Sequence, residues 1–181
     1  MTDDKNYPLA LDCPKEKVVL ITQEIINQAI DASRKSPRKR IIFPFHKSPS
    51  DKLHRMLNVL QPQSYIKPHR HFDPPKSESL IVLNGRLTCV EFNNTGEINA
   101  FYKLSSESFN IGIDIEPGVY HTIFAAVEDT VLFEVKPGPY ERTSDKDFAS
   151  WAPSEGDENA EEYLKNLYDV TKKITGAGLH Y

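Results

Sequence analysis

The spacing of hydrophobic and polar residues changes twice along the chain, and the first segment has a helical pattern. Thr22 offers a hydroxyl that can cap a helix, and the apolar residues that follow it recur at the spacing of one helix face. These residues are Ile25, Ile26, Ala29 and Ile30. The basic run over residues 34–40 suits the C-terminal end of such a helix, and an anion-binding patch is the alternative interpretation of this run.

Between residues 41 and 137 the pattern becomes that of short strands. Runs rich in β-branched and aromatic residues alternate with turn residues, and Asn93–Gly96 is a hairpin signal because Asn and Gly tolerate positive φ. The candidate strands cover 40–45, 54–60, 63–67, 78–84, 86–92, 97–104, 108–115, 119–126 and 130–136. Many short strands at this spacing predict an antiparallel sandwich or barrel.

The last segment returns to helical spacing. Residues 153–158 have the composition of a loop, and six apolar or aromatic positions follow them on one helix face. They are Ala160, Tyr163, Leu164, Leu167, Val170 and Ile174. We expect an amphipathic helix here that packs on the outside of the β-domain.

Composition and charge limit the kinds of partner. The 181 residues are 39% hydrophobic and 27% charged, which is typical of a globular protein rather than a disordered one. The net charge of −4 leaves no basic excess for nucleic acid. No apolar run approaches the roughly 20 residues of a membrane span, and the polar residues 1–6 do not resemble a secretory signal. The two cysteines, Cys13 and Cys89, are too few for a disulfide scaffold, so we expect a cytoplasmic protein. The charge and the absence of a long apolar run predict neither nucleic acid nor a membrane as a partner.

Three histidines and one glutamate form a candidate metal site. His69 and His71 are two residues apart, so a strand places both on one face. Glu78 and His121 each share the parity of apolar residues in their own predicted strands, so we expect both to face inward. Such a set suits one divalent transition metal ion, for which Fe, Mn, Zn and Ni are the candidates. The alternative is a chance histidine pair, with His121 as a hydrogen-bonded structural residue.

The same residues resemble the two motifs of the cupin superfamily. In the first motif a His-x-His pair precedes a Glu that stands seven positions before a Gly, and in the second a Pro-Gly turn precedes a His. Six residues separate His71 from Glu78, where the common pattern has three or four, and Ala125 stands where an Asn is frequent. The matching residues are His69, His71, Glu78 and Gly85 for the first motif, and Pro117, Gly118 and His121 for the second.

Four runs in this chain resemble the WbuC family of cupin-fold metalloproteins, in the family's own order. They cover residues 55–58, 68–71, 133–140 and 146–153. The resemblance implies a mainly β protein with a single cupin-type antiparallel β-barrel, that is, a double-stranded β-helix or jelly roll, and a metal in its mouth. Its expected boundaries are an N-terminal extension and helix over 1–39, the barrel over 40–140, and a C-terminal tail and helix over 141–181. The family's name comes from bacterial surface-polysaccharide gene clusters, and its reaction is unassigned.

Further polar residues lie on or beside the predicted strands. A barrel interior is apolar, so an inward Arg or Lys requires an anionic partner, and the cations therefore predict an anionic small-molecule ligand. The alternative is that strand alternation turns these side chains to solvent. The candidates for catalysis are Tyr65, Glu134 and Tyr140, and those for substrate binding are Arg55, Asn58, Lys67 and Lys136.

Two classes of function fit these residues. The leading hypothesis is an enzyme of surface-polysaccharide or nucleotide-sugar metabolism, in which a divalent metal assists an isomerisation or epimerisation and a Tyr or Glu moves the proton. An iron-dependent dioxygenase is the second enzyme hypothesis. The third is a non-catalytic module that binds a small ligand through its metal.

An exposed edge strand predicts a homodimer. Small sheets normally cover such an edge, and the apolar run over residues 18–21 reads as a strand that can supply the cover from its own chain or from a neighbour.

Overall fold

The computed structural model describes residues 7–141, 143 and 145–173. Within these residues the chain forms ten β-strands and two α-helices. The strands are β1 Arg40–Pro44, β2 Leu53–Leu60, β3 His69–Arg70, β4 Glu78–Asn84, β5 Arg86–Phe92, β6 Ile98–Ser105, β7 Gly112–Ile115, β8 Tyr120–Ala125, β9 Thr130–Pro137 and β10 Asp147–Phe148. The helices are α1 Gln23–Lys35 and α2 Ala160–Lys173.

The strands pair into two antiparallel sheets of five strands each. The first sheet has the order β1-β2-β9-β4-β7 and the second has the order β10-β3-β8-β5-β6. Leu80 and Leu132 of the first sheet pack against Leu87 and Ile123 of the second, and all four are buried. The sheets therefore face each other across a common apolar core, as the alternating pattern of the central segment predicts.

The N-terminal helix forms where the sequence predicts it. The Thr22 hydroxyl accepts a hydrogen bond from the Ile25 backbone N–H at 3.4 Å, and α1 ends at Lys35, inside the basic run. Ala29 and Ile30 are buried against apolar residues of β1 and β2. The helix thus covers the outer face of the first sheet.

The C-terminal helix is also confirmed. Leu164 and Leu167 of α2 pack in a buried cluster with Val90 and Phe124 of the second sheet. The last predicted position of its apolar face, Ile174, lies outside the described residues. No helix in the described part of the chain is long and apolar enough to cross a membrane.

The predicted hairpin at Asn93–Gly96 connects β5 to β6. The Asn93 side-chain oxygen accepts hydrogen bonds from the backbone N–H groups of Thr95 and Glu97, and Gly96 has a φ of +92°. A Cβ at Gly96 would lie 2.7 Å from the ring of Trp151, so this position requires glycine for space as well as for conformation. The contact holds the chain before α2 against the second sheet.

Two predicted strands are absent from the structure. Residues 63–67 lead into β3 without strand pairing, because the chain turns at Gln61, whose carbonyl oxygen accepts from the Ser64 N–H. Residues 18–21 are also outside any strand, and the Val18 side chain is 84% exposed. Both strand predictions are wrong, since a short apolar run does not fix its own pairing.

The outer edge of β1 is covered by a different part of the same chain. Ala10 pairs with Ile42 in a parallel bridge, and the Leu11 N–H donates to the Ile42 carbonyl oxygen at 2.8 Å. The segment that covers the edge therefore lies upstream of the predicted one. The homodimer stays a prediction.

Candidate metal centre

The four predicted metal ligands lie in one buried cluster at the meeting of the two sheets. His69 of β3 stands directly opposite His121 of β8 in the second sheet, His71 follows β3, and Glu78 opens β4 of the first sheet. One ligand atom from each residue lies within 4.8 Å of all the others, and all four residues are buried. The fold therefore brings four residues that are separated in the sequence into a single site.

Backbone carbonyls fix the orientation of two imidazoles. His69 Nδ1 lies 3.0 Å from the Lys67 carbonyl oxygen, and His121 Nδ1 lies 3.0 Å from the Val119 carbonyl oxygen. A carbonyl oxygen can only accept, so Nδ1 is the donor in each ring. The lone pair on Nε2 is then free to bind a metal ion.

The third imidazole depends on a distant part of the chain. His71 Nδ1 donates to the Asp145 carbonyl oxygen at 2.5 Å, and His71 Nε2 is buried without a hydrogen-bond partner among the described residues. An unsatisfied buried nitrogen is costly, and a metal ion at this point would satisfy it. This orphaned atom is direct structural support for a metal site.

The ligand geometry also fits one ion. Glu78 Oε2 lies 3.1 Å from His121 Nε2 and 3.8 Å from His71 Nε2. Two ligands on opposite sides of an ion at about 2.1 Å stand about 4.2 Å apart, so the 4.8 Å spread of the cluster requires only a small contraction. Three imidazole nitrogens and one carboxylate can therefore hold a divalent transition metal ion here.

The protonation states suit coordination. Burial lowers the pKa of His69 and of His71, so both imidazoles are neutral, which is the form that binds a metal. Burial opposes ionisation of Glu78, yet a hydrogen bond from His121, formed when its Nε2 carries the proton that a metal ion would displace, and the charge of Lys136 hold the pKa of Glu78 well below the ordinary range. The site therefore presents neutral nitrogens and an ionised carboxylate.

Behind the ligands lies a buried network of charges, which we call the inner network. Lys136 Nζ lies 3.3 Å from Glu134, 3.5 Å from Asp145 and 3.8 Å from Glu78. Lys76 Nζ lies 2.7 Å from Asp145 Oδ1 and donates to the Pro139 carbonyl oxygen at 2.5 Å. The members are Lys76, Glu78, Glu134, Lys136 and Asp145, and all are buried.

Glu134 is the member of this network best suited to carry a proton. Burial raises its pKa, and the negative charge of Glu78 raises it further. Its Oε2 accepts from Asn58 Nδ2 at 2.9 Å, and Glu134 lines the cavity above the metal ligands. Lys136 stays charged, because the three neighbouring carboxylates raise its pKa although burial opposes this.

A cavity of about 750 Å³ opens onto three of the four candidate metal ligands, His69, Glu78 and His121. Five of the seven polar residues singled out from the sequence line it: Asn58, Lys67, Glu134, Lys136 and Tyr140. Arg55 is exposed and lies outside the lining. Tyr65 also lies outside it, because its ring packs in the cluster under α2 and its hydroxyl donates to the Pro153 carbonyl oxygen at 2.8 Å.

Sequence reasoning missed several residues of the site. Lys76 and Asp145 lie in segments without a periodic pattern, and nothing in the sequence marks their pairing. Lys146 belongs to one of the four family-like runs, and that membership was an available signal. Arg38 and Arg40 belong to the basic run whose alternative interpretation is an anion-binding patch, and both line the cavity.

Among known sequences, one family model matches part of this chain. Residues 21–104 match the domain of unknown function DUF6016. No curated protein matches this chain.

Solved structures with a similar fold are more numerous. BH2720 from Bacillus halodurans is 16% identical over 72% of this chain and 87% of its own, with a TM-score of 0.50. The capsular polysaccharide assembling protein CapF from Staphylococcus aureus is 21% identical over 59% of this chain, with a TM-score of 0.48, and the chain spans only 28% of its length. KdgF from Halomonas sp. is 16% identical over 57% of this chain and 80% of its own, with a TM-score of 0.41. At these identities the likeness concerns the fold alone.

Proposed function

We propose that this protein is a cupin-fold metalloenzyme that isomerises or epimerises a sugar or nucleotide sugar in bacterial surface-polysaccharide metabolism. The observation that carries the proposal is the open cavity, which joins His69, Glu78 and His121 of the ligand cluster to Glu134, a carboxyl group with a raised pKa. A structural metal needs no cavity of this size above its ligands.

The fold supports this assignment. The two facing sheets place His69 and His121 on adjacent strands and Glu78 at the start of β4, in agreement with the two cupin-like motifs. The four runs that resemble the WbuC family support a role with carbohydrates.

The chemistry follows from the residues beside the ligands. When bound, a divalent ion would supply Lewis acidity to a carbonyl or hydroxyl oxygen of the sugar. Glu134 removes a proton from the carbon next to the carbonyl when ionised, and the same carboxyl group returns it to the neighbouring atom on the same face, which completes an isomerisation. An epimerisation would need a second proton donor on the opposite face of the sugar. Asn58 orients this carboxyl group through its 2.9 Å hydrogen bond, and Lys136 offsets the negative charge that the carboxylate gains or loses.

Although much of the cavity wall is apolar, the ionic groups beside Glu78 favour this reaction over oxygen chemistry. An iron-dependent dioxygenase would need an apolar surface next to its open coordination positions. Here Glu134, Lys136 and Asp145 line the cavity beside Glu78. Ionic groups at this point support proton transfer.

The test uses the purified full-length protein. We expect elemental analysis to find about one transition metal ion per chain, and incubation in D2O with a panel of nucleotide sugars and sugar phosphates to show deuterium at a carbon-bound position by NMR. Glu134→Gln should retain the metal and lose the exchange, while Glu91→Gln, a matched change outside the cavity, should retain both. Oxygen consumption without exchange would favour the dioxygenase, and metal with neither activity would favour the binding module.

A further inference from the structure

The outer part of the cavity carries a second group of charges, which we call the outer cluster. Its members are Arg38, Arg40, Lys67 and Lys146. Arg38 lies between α1 and β1, Arg40 opens β1, Lys67 precedes β3, and Lys146 precedes β10. All four are half-buried and all line the cavity, so three separate segments of the chain bring positive charge to one cavity.

Three of these cations have no carboxylate partner in the described part of the chain. Arg40 pairs with Glu155 at 2.5 Å. Arg38 donates only to the Leu9 carbonyl oxygen at 3.2 Å, and Lys67 only to the Ser154 hydroxyl at 3.3 Å. Within the same described residues, Lys146 has neither a hydrogen bond nor an ion pair. Side chains placed for folding alone are normally satisfied when they are half-buried.

The arrangement is also electrostatically unfavourable without a ligand. Burial lowers the pKa of Arg38, and the positive charge of Arg40 lowers it further, against the opposing charge of Glu155. Burial likewise lowers the pKa of Lys146, and Lys136 and Arg40 add to this effect, although the carboxylates Glu78 and Glu134 oppose it. A chain with a net charge of −4 therefore holds like charges together in a cavity wall, where an anion from outside would stabilise them.

We propose that the outer cluster binds a phosphate group of the substrate, which makes the substrate a phosphorylated sugar. This inference rests on the proposed function and narrows it. A phosphate carries up to two negative charges and several acceptor oxygens, so it can engage an Arg fork and two ammonium groups together. A carboxylate has one charge and would leave most of the cluster unmatched. The volume of about 750 Å³ leaves room for the sugar between the phosphate and the metal ligands.

Calorimetry on the purified full-length protein tests the subsite, with glucose 6-phosphate, glucose and glucuronate as probes. We expect glucose 6-phosphate to bind at least about tenfold more tightly than either of the others. Lys146→Met and Arg38→Met should each weaken its binding by about tenfold. Lys52→Met removes an exposed charge outside the cavity and should leave the affinity unchanged.

Thermal unfolding shows whether Lys146 serves a ligand or the fold. Without ligand, Lys146→Met should melt at the wild-type temperature or above, because it removes an unpaired half-buried charge. With glucose 6-phosphate its melting temperature should rise much less than that of the wild type. A Lys146→Met protein that melts well below the wild type would overturn the inference, since the lysine would then be structural.

Two other results would also overturn it. One is wild-type affinity for glucose 6-phosphate in both cavity variants, which would place the phosphate elsewhere, for instance on the metal. The other is tighter binding of glucuronate than of glucose 6-phosphate. These results leave the proposed function intact if metal and deuterium exchange are present. Conversely, tight phosphate binding that depends on Lys146 would support the subsite even in a protein without exchange activity.

Discussion

Four of the five members of the inner network line the same cavity as the outer cluster, but the two groups differ in how their charges are paired. In the inner network, Lys136 lies within 4 Å of three carboxylates and Lys76 lies 2.7 Å from Asp145. In the outer cluster, only Arg40 has a carboxylate partner among the described residues. Both regions hold cations partly or wholly away from water, yet only in the inner network does every cation have a carboxylate partner.

The difference separates two uses of a buried charge. Paired charges in a dry interior hold chain segments in one geometry, and removing one partner leaves the other uncompensated. Unpaired charges in a cavity wall do not stabilise the folded state. They are available to pair with an anionic ligand. Stability measurements should therefore respond strongly to changes in the inner network and weakly to changes in the outer cluster.

The largest effect should come from breaking the inner pair. Lys76→Met leaves Asp145 with only the more distant Lys136, and we expect a loss of about 3 kcal/mol in the free energy of unfolding. Urea denaturation measures this. Lys165→Met breaks an exposed pair with Asp169 and should cost at most about 0.5 kcal/mol. Equal losses in the two variants would remove the distinction between buried and exposed pairs.

Metal removal should have the next largest effect. A free metal concentration about 100 times the Kd stabilises the folded protein by about 2.7 kcal/mol, so a chelator should lower the melting temperature of the wild type. His71→Ala should have little metal and should not respond to the chelator. His46→Ala, a half-buried histidine of the same cavity outside the ligand cluster, should respond like the wild type. A chelator response in His71→Ala would contradict the assigned ligand set.

A pH series on Lys146 examines the outer cluster directly. Its pKa is lowered in the folded state by burial, whereas the unfolded chain has a value of about 10.4. Between these two pKa values the unfolded chain binds more protons, so stability rises with pH. Relative to Lys146→Met, the wild type should therefore become more stable as pH rises through the folded pKa towards about 10.4. Urea denaturation from neutral to alkaline pH measures this, and a trend of the opposite sign would show that the lysine has an anionic partner.

The smallest effect is expected at Lys67. Its amine contacts only the Ser154 hydroxyl, so Lys67→Met should change the free energy of unfolding by less than about 0.5 kcal/mol. The measurement is again urea denaturation without ligand. A loss comparable to that of Lys76→Met would show that the two regions do not differ.

The sequence predicts those elements of this protein that have a local motif or a periodic pattern of apolar residues. The Thr22 cap, the apolar face of α2 and the Asn93–Gly96 turn are local signals, and each is confirmed. The metal ligands are predictable for a related reason, because strand parity decides which side chains face inward. The convergence of Glu78 with the histidines then requires only that the strands pair in the same β-domain.

The rest depends on contacts between segments that carry no pattern. The Lys76–Asp145 pair joins two irregular stretches 69 residues apart, and no periodicity predicts it. The run over residues 18–21 is apolar enough for a strand, but Ala10 and Leu11 occupy the available edge of β1 instead. The residue type alone makes Tyr65 a catalytic candidate, and only the packing under α2 shows that its hydroxyl donates to the Pro153 carbonyl oxygen.

The different origins of the imidazole hydrogen bonds have a consequence for protein synthesis. His69 and His121 donate to backbone carbonyls only two residues earlier in the chain. His71 donates to the carbonyl oxygen of Asp145, which is 74 residues later. A ribosome therefore releases all four ligands before it releases the group that orients the third imidazole. We expect a nascent chain arrested before Asp145 to capture a metal weakly and exchange it easily. Tight loading would then be among the last events in the maturation of the chain.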